Sequence, residues 1–274
     1  VSNKKGAKVA SKGRNRYAAI VEEIFRRHHK SGATKIRFDR DEFEEVARDL
    51  GIARPKNLGD TIYSFKFRQE LPSGIAKTAP KGYEWIIQGE GVAKYSFRLV
   101  RPVRIVPRED LVVVKIPDAT PEIIGAYALG DEQALLAKVR YNRLVDIFLG
   151  IAAYSLQNHL RTTVQGIGQI EIDELYVGID RAGRQYIIPV QAKGGKDKHG
   201  RQQTEQDIAC CQEKFPNLIC RSVSAQFITS SKIAMFELAI QDGDVRILAE
   251  EHYDLVPASQ VSPEDLALYR ARNQ

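Results

Sequence analysis

The chain lacks the features that would place it in a membrane or outside the cell. No run approaches the roughly 18 apolar residues of a spanning helix, and no apolar signal-peptide segment opens the sequence. Cysteine is scarce. The three residues, Cys210, Cys211 and Cys220, are an odd count and form no C-x-x-C pair. That spacing argues against a disulfide framework and against a structural zinc site. The expectation is a cytoplasmic protein with reduced thiols and no membrane partner. Internal repeats are absent. At 43% hydrophobic and 28% charged residues over 274 positions, the composition is that of a folded chain with a sizeable core. The length suits one large or two medium domains.

Negative charge is scarce in one part only. Residues 1–105 hold 23 Lys and Arg against 12 Asp and Glu, a net of +11, whereas residues 106–274 carry a net of −5. The excess begins in the tail with Lys4, Lys5, Lys8, Lys12, Arg14 and Arg16, and it continues past residue 50. A basic first part before an acidic second part divides the labour: the first attracts a polyanion. Two domains are expected, 1–105 and 106–274. Pro102, Pro107 and Arg108-Glu109-Asp110 read as the link between them.

In the first part, Tyr17, Ile20, Val21, Ile24 and Phe25 have helical spacing over residues 14–30. Asp39 opens a capping-box pattern with Glu42. The helix that follows uses Phe43, Val46, Ala47 and Leu50, and Gly51 stops it. A third helix runs from about Asn57 to Gln69. Leu58, Ile62 and Phe65 face its core, and Leu71-Pro72 ends it. Strands at 82–88 and 94–100 flank a Gly89-Glu90-Gly91 turn. Three helices and a hairpin are the order of a winged helix-turn-helix, whose third helix enters the major groove of double-stranded DNA. The candidate DNA contacts are Lys56, Asn57, Ser64, Lys66, Arg68 and Gln69, with Arg101 and Arg104 beyond the wing.

In the second part, residues 131–163 are apolar on nearly every side and read as a long buried helical segment, one helix or two. Strands at 169–179 and 185–192 follow, joined by Asp180-Arg181-Ala182-Gly183. A helix at 202–215 and strands at 218–223, 233–240 and 245–247 complete an α/β domain with a mixed sheet. The chemistry sits on the hairpin. Carboxylates inside an apolar strand are costly unless they are paired, hydrogen-bonded or bound to metal. Alternation sets Glu171 and Asp173 on one face and Glu174 on the other. Pairing brings Asp173 beside Gln191 and Lys193. Oxygen ligation with few protein groups suits Mg2+. The polar stretch from Lys193 to Arg201 could cradle phosphate, with Lys196 and Lys198 as its cations. It lacks Walker spacing, so no nucleotide cofactor is expected.

This pattern resembles the PD-(D/E)XK nuclease superfamily. Asp173 matches the family's first position. Gln191-Ala192-Lys193 matches the second, after seventeen intervening residues, with Gln where an acid is commoner. The Gln-x-Lys form is similar to that of Mrr-like restriction nucleases, which also carry an N-terminal winged helix. The resemblance implies a restriction-endonuclease-like α/β domain over about 130–225 and Mg2+-dependent phosphodiester hydrolysis. Asp173, Gln191 and Glu171 would hold the metal, with Glu174 the alternative to Glu171, and Lys193 would serve the reacting phosphate. Cleavage of both strands suggests a homodimer. Two other functions stay open. One is a repair or junction-resolving nuclease. The other is a DNA-binding regulator whose nuclease-like domain has lost catalysis, which a neutral Gln191 would fit.

Overall fold

The computed structural model describes residues 17–53, 57–67, 69–127, 132–194 and 199–271. The chain divides into two compact units. Unit 1 is Val1–Pro102 with Gln165–Gly168, and unit 2 is Val103–Val164 with Gln169–Gln274. It is a mixed α/β protein. No helix among the described residues is long and apolar enough to cross a membrane.

Unit 1 begins with α1 (17–28). β1 (Lys35–Asp39), α2 (Glu42–Asp49), α3 (Leu58–Phe67), the single turn α4 (Ser73–Ala76), β2 (Glu84–Gly89) and β3 (Lys94–Val100) follow. The three strands order as β1-β3-β2, antiparallel throughout. The expected apolar stripes form one core: Ile20, Val21 and Ile24 of α1, Phe43 and Val46 of α2, and Leu58, Ile62 and Phe65 of α3, over Trp85, Ile87 and Phe97 of the sheet. Phe25 meets Trp85 and Phe97 edge-on, each at 5.1 Å between ring centroids. The Glu42 side chain accepts the Asp39 N–H at 2.8 Å, which is the backward reach of the capping box. Gly51 adopts the left-handed φ of +64° that a helix stop requires. Leu50, expected in the core, is exposed. β1 escapes the sequence pattern because Lys-Ile-Arg-Phe-Asp buries only Ile36 and Phe38, too short an alternation to separate from a loop.

Unit 2 comprises β4 (Val113–Pro117), α5 (Glu122–Tyr127), α6 (Glu132–Tyr141), α7 (Leu144–Leu149), β5 (Ala152–Val164), β6 (Gly168–Ile179), β7 (Gln185–Lys193), α8 (Arg201–Lys214), β8 (Ile219–Cys220), β9 (Ser222–Phe227), β10 (Lys232–Gln241), β11 (Asp244–Val256) and α9 (Pro263–Ala271). Seven strands order as β4-β11-β10-β9-β7-β6-β5, with β8 beside β7. The sheet is mixed: β6–β7 is antiparallel, β7–β9 and β4–β11 are parallel, and β9–β10–β11 is antiparallel. Parallel neighbours need a crossover, and α8 supplies it between β7 and β9. One face packs on α6 and α7, with Leu135, Leu136, Val139 and Val145 over Tyr176, Ile188, Val190 and Ala192. Residues of opposite parity, Leu175 and Ile187, meet Cys211 of α8.

The expected helical segment at 131–163 is only partly helical. Gly150 takes a left-handed φ of +67° and ends α7, and residues 152–164 are a strand. Continuous apolarity fits a buried helix and a strand alike, and here the glycine decides. The edge position of β5 leaves much of it exposed, which blurs its alternation.

Candidate active site at the open end of the β6–β7 hairpin

The β6–β7 backbone ladder runs from Ile179 opposite Gln185 to Glu174 opposite Val190. Beyond that pair a side chain takes over. The Asp173 carboxylate accepts the Ala192 N–H through Oδ2 at 2.9 Å. That bond fixes the Asp173 rotamer across the hairpin. Gln191 and Lys193, two apart on β7, share the face that carries Ile187, toward α8. Asp173, Gln191 and Lys193 are therefore brought to one end of the sheet.

Their surroundings differ. Desolvation raises the Asp173 carboxyl above its usual range, while the Lys193 charge and the Ala192 N–H pull it back. Gln191 is 1% exposed. Its Nε2 donates to the Glu171 carbonyl and to Asp207 Oδ1, both at 3.1 Å. Lys193 is 9% exposed, and its Nζ lies 3.4 Å from Glu132 Oε1 at the start of α6.

Glu171 shares the Asp173 face but is exposed and engaged elsewhere. Arg161 Nε approaches its Oε2 at 3.2 Å, and His159 Nδ1 its Oε1 at 3.4 Å. Glu174 stands on the opposite face and is fully buried. It accepts from Arg140 Nε at 2.8 Å and from Ser155 Oγ at 2.6 Å. It is a structural ion pair under α6, and the structure does not bring it to Asp173.

Sequence reasoning missed Glu132 and Asp207. Neither carried a local signal, because each acts through a partner far along the chain. The polar run Arg201-Gln202-Gln203-Thr204-Glu205-Gln206-Asp207 has the composition of a surface helix. In the fold, Gln202, Gln206 and Asp207 are all buried. Burial drives the Asp207 carboxyl well above its usual range, and the Asp173 charge adds to this, against the Gln191 hydrogen bond and the Lys193 charge. His199 is buried as well. Desolvation and the Lys193 charge bring it down to about 3, so it stays neutral, and its Nε2 meets Thr204 Oγ1 at 2.7 Å.

The expected DNA contacts of unit 1 are arranged unevenly. Asn57 precedes α3 and is exposed, and its carbonyl accepts the Thr61 N–H and hydroxyl. Ser64 and Gln69 bond each other at 2.6 Å. Lys66, expected outside, is largely buried, and desolvation lowers its ammonium to about 8. Lys56, Arg68, Lys196 and Lys198 lie outside the described residues.

Among the described residues, no three His, Cys, Asp or Glu side chains form a metal-holding group. What the site offers is one carboxylate with an oxygen to spare and one amide oxygen. Mg2+ tolerates such a sparse set, because it keeps waters and takes phosphate oxygens; a zinc site needs more protein ligands. The donor chemistry therefore fits Mg2+. No protein-family model, curated protein or solved structure matches the chain.

Proposed function

We propose that the protein is a Mg2+-dependent endonuclease that hydrolyses phosphodiester bonds of double-stranded DNA, a sequence-specific restriction endonuclease acting in the cytoplasm as a homodimer. The observation that carries this reading is the meeting of Asp173, Gln191 and Lys193 at the open end of one hairpin, with α8 crossing from that hairpin to a parallel strand. Helix, hairpin, helix and strand are the elements that a PD-(D/E)XK core requires, and the three residues sit at its motif positions.

The chemistry that Mg2+ supplies when bound is polarisation of water and phosphate. Asp173 and the Gln191 amide oxygen are the groups that would hold it. The Ala192 N–H keeps Asp173 in place by binding its second oxygen. Lys193 brings an ammonium to the reacting phosphate, where developing negative charge needs a fixed cation. Its ion pair with Glu132 orients the flexible stem before DNA arrives.

DNA as the partner is supported by the net charge of +11 over residues 1–105. It is supported also by the element order of unit 1, helix, strand, two helices, the single turn α4 and two strands, with sheet order β1-β3-β2. On this reading unit 1 is used as a winged helix, α3 taking the groove and the β2–β3 turn the DNA backbone. All three cysteines are free thiols, in keeping with a reducing compartment.

Genomic DNA, modified and unmodified, incubated with the protein with and without Mg2+ tests the reading. Discrete Mg2+-dependent fragments are the expected result. Nicked branched DNA as the sole product would point to a junction-resolving enzyme. A second reading, a DNA-binding regulator with a silent nuclease-like unit, is favoured by the neutral amide of Gln191, and it predicts shifted but intact DNA under every metal condition.

A further inference from the structure

We propose that Asp207 is a positioning residue for Gln191, holding the amide so that its oxygen is the group presented to the divalent cation. This rests on the nuclease reading and says how a neutral side chain can serve at that position.

Asp207 lies inside α8 and is 1% exposed. A carboxylate there is costly without partners, on a helix whose buried positions include the polar Thr204 and Gln206 as well as Ile208 and Cys211. Among the described residues, the donor that reaches Asp207 is Gln191 Nε2, and Oδ2 has no hydrogen-bond partner. Glu174 also leaves one buried oxygen unmatched, but it holds the Arg140 guanidinium, whereas Asp207 is bonded only to a neutral amide among the described residues, which scaffold alone explains poorly.

The Gln191 side of the contact explains it. Nε2 faces two acceptors, the Glu171 carbonyl and Asp207 Oδ1. A primary amide has two N–H bonds, so both are committed. Flipping the amide would set its oxygen against the Glu171 carbonyl oxygen, which cannot donate. The orientation is thus fixed from two elements, the backbone of β6 and the side chain of α8. The oxygen is the remaining polar atom. A weak neutral ligand that also wandered among rotamers would contribute little, and a two-point anchor removes that freedom. The same geometry accounts for glutamine at 191. A glutamate would confront the Glu171 carbonyl, and the Asp207 carboxyl beside it, where Gln191 now donates.

The test is divalent-ion binding by the full chain without DNA, with Mn2+ as the probe, alongside the Mg2+ concentration giving half-maximal cleavage. Asp207→Ala should weaken Mn2+ binding and raise the Mg2+ midpoint by about 10–100-fold. Asp207→Asn keeps an acceptor for Nε2 and should recover most of that loss. Gln191→Glu should bind Mn2+ more weakly than wild type despite its added charge. Thermal melting identifies variants that do not fold, and if Asp207→Ala is among them, Gln191→Glu decides. Wild-type Mn2+ binding in folded Asp207→Ala, or tighter binding in Gln191→Glu, overturns the proposal. If binding depends on Asp173 but not on Asp207, the positioning role alone falls. If the wild type and Asp173→Ala bind Mn2+ alike, the nuclease reading and the positioning role fall together.

Discussion

Asp173 and Glu174 are adjacent on β6 and have opposite fates. Glu174 points to the face under α6, is fully buried, and receives a guanidinium and a hydroxyl. Asp173 points to the α8 face, keeps partial exposure, and receives one backbone N–H. A buried carboxylate matched by a cation is a solved electrostatic problem that holds α6 to the sheet. Asp173, at the sheet end and near the Lys193 charge, is the carboxylate that the proposed function uses as its metal ligand. The two faces of one strand thus separate architecture from chemistry by parity alone.

The contrast should break cleanly. Asp173→Ala is expected to lower cleavage by at least about a thousandfold, through loss of the main charged ligand, with little change in thermal midpoint. A cleavage rate near wild type would remove Asp173 from the site. Glu174→Ala should do the reverse, destabilising unit 2 by about 3 kcal/mol, the low end for a broken buried pair because Arg140 still reaches water. Denaturant unfolding measures it, and an unchanged midpoint would mean that the pair is not structural.

Two smaller effects sharpen the picture through pH. His199 is neutral in the fold down to about 3, against 6.5 in an unfolded chain. The unfolded state therefore binds more protons between those values, and stability falls as pH drops through that window. His199→Gln should flatten the acid limb of unit 2 melting, and an unaltered limb would assign acid loss to other groups. Lys66 behaves as the high-pH counterpart. Its folded value near 8 lies below 10.5 for the free side chain. Protons are again bound more by the unfolded state, so stability rises with pH from about 8 to 10.5. Lys66→Met should raise the melting temperature of unit 1 by several degrees at pH 7, by progressively less above pH 8, and a pH-independent difference would contradict the assignment.

Much of the site was legible because its signals are local. A carboxylate in an apolar strand, a turn, and Gln-x-Lys at the end of the next strand can be read within twenty-odd residues, and their alternation gives the faces. The same holds for the stops at Gly51 and the core stripes of α1 to α3. What was not legible depends on distance along the chain. Arg140 and Glu174, Lys193 and Glu132, and Gln191 and Asp207 are pairs whose members sit on different elements, and no spacing rule announces them. Strand β5 was hidden differently. Only its first residues continue the apolar run of α7; the rest are largely polar and exposed, so an edge strand shows no strict alternation to betray it.

The pairing of β4 with β11 sets Val113 beside His252, so the first strand of the unit 2 sheet waits for the last. A ribosome delivers the chain from the N-terminus, at about 5–20 residues per second. The hairpin, α8 and β9 can therefore assemble while β4 still lacks its neighbour. During that interval both β4 and β10 present unpaired backbone, the template on which nascent chains join one another. A chain cut before Asp244 would keep those two edges permanently. It should go to inclusion bodies during expression, even though every residue of the candidate active site has already been made.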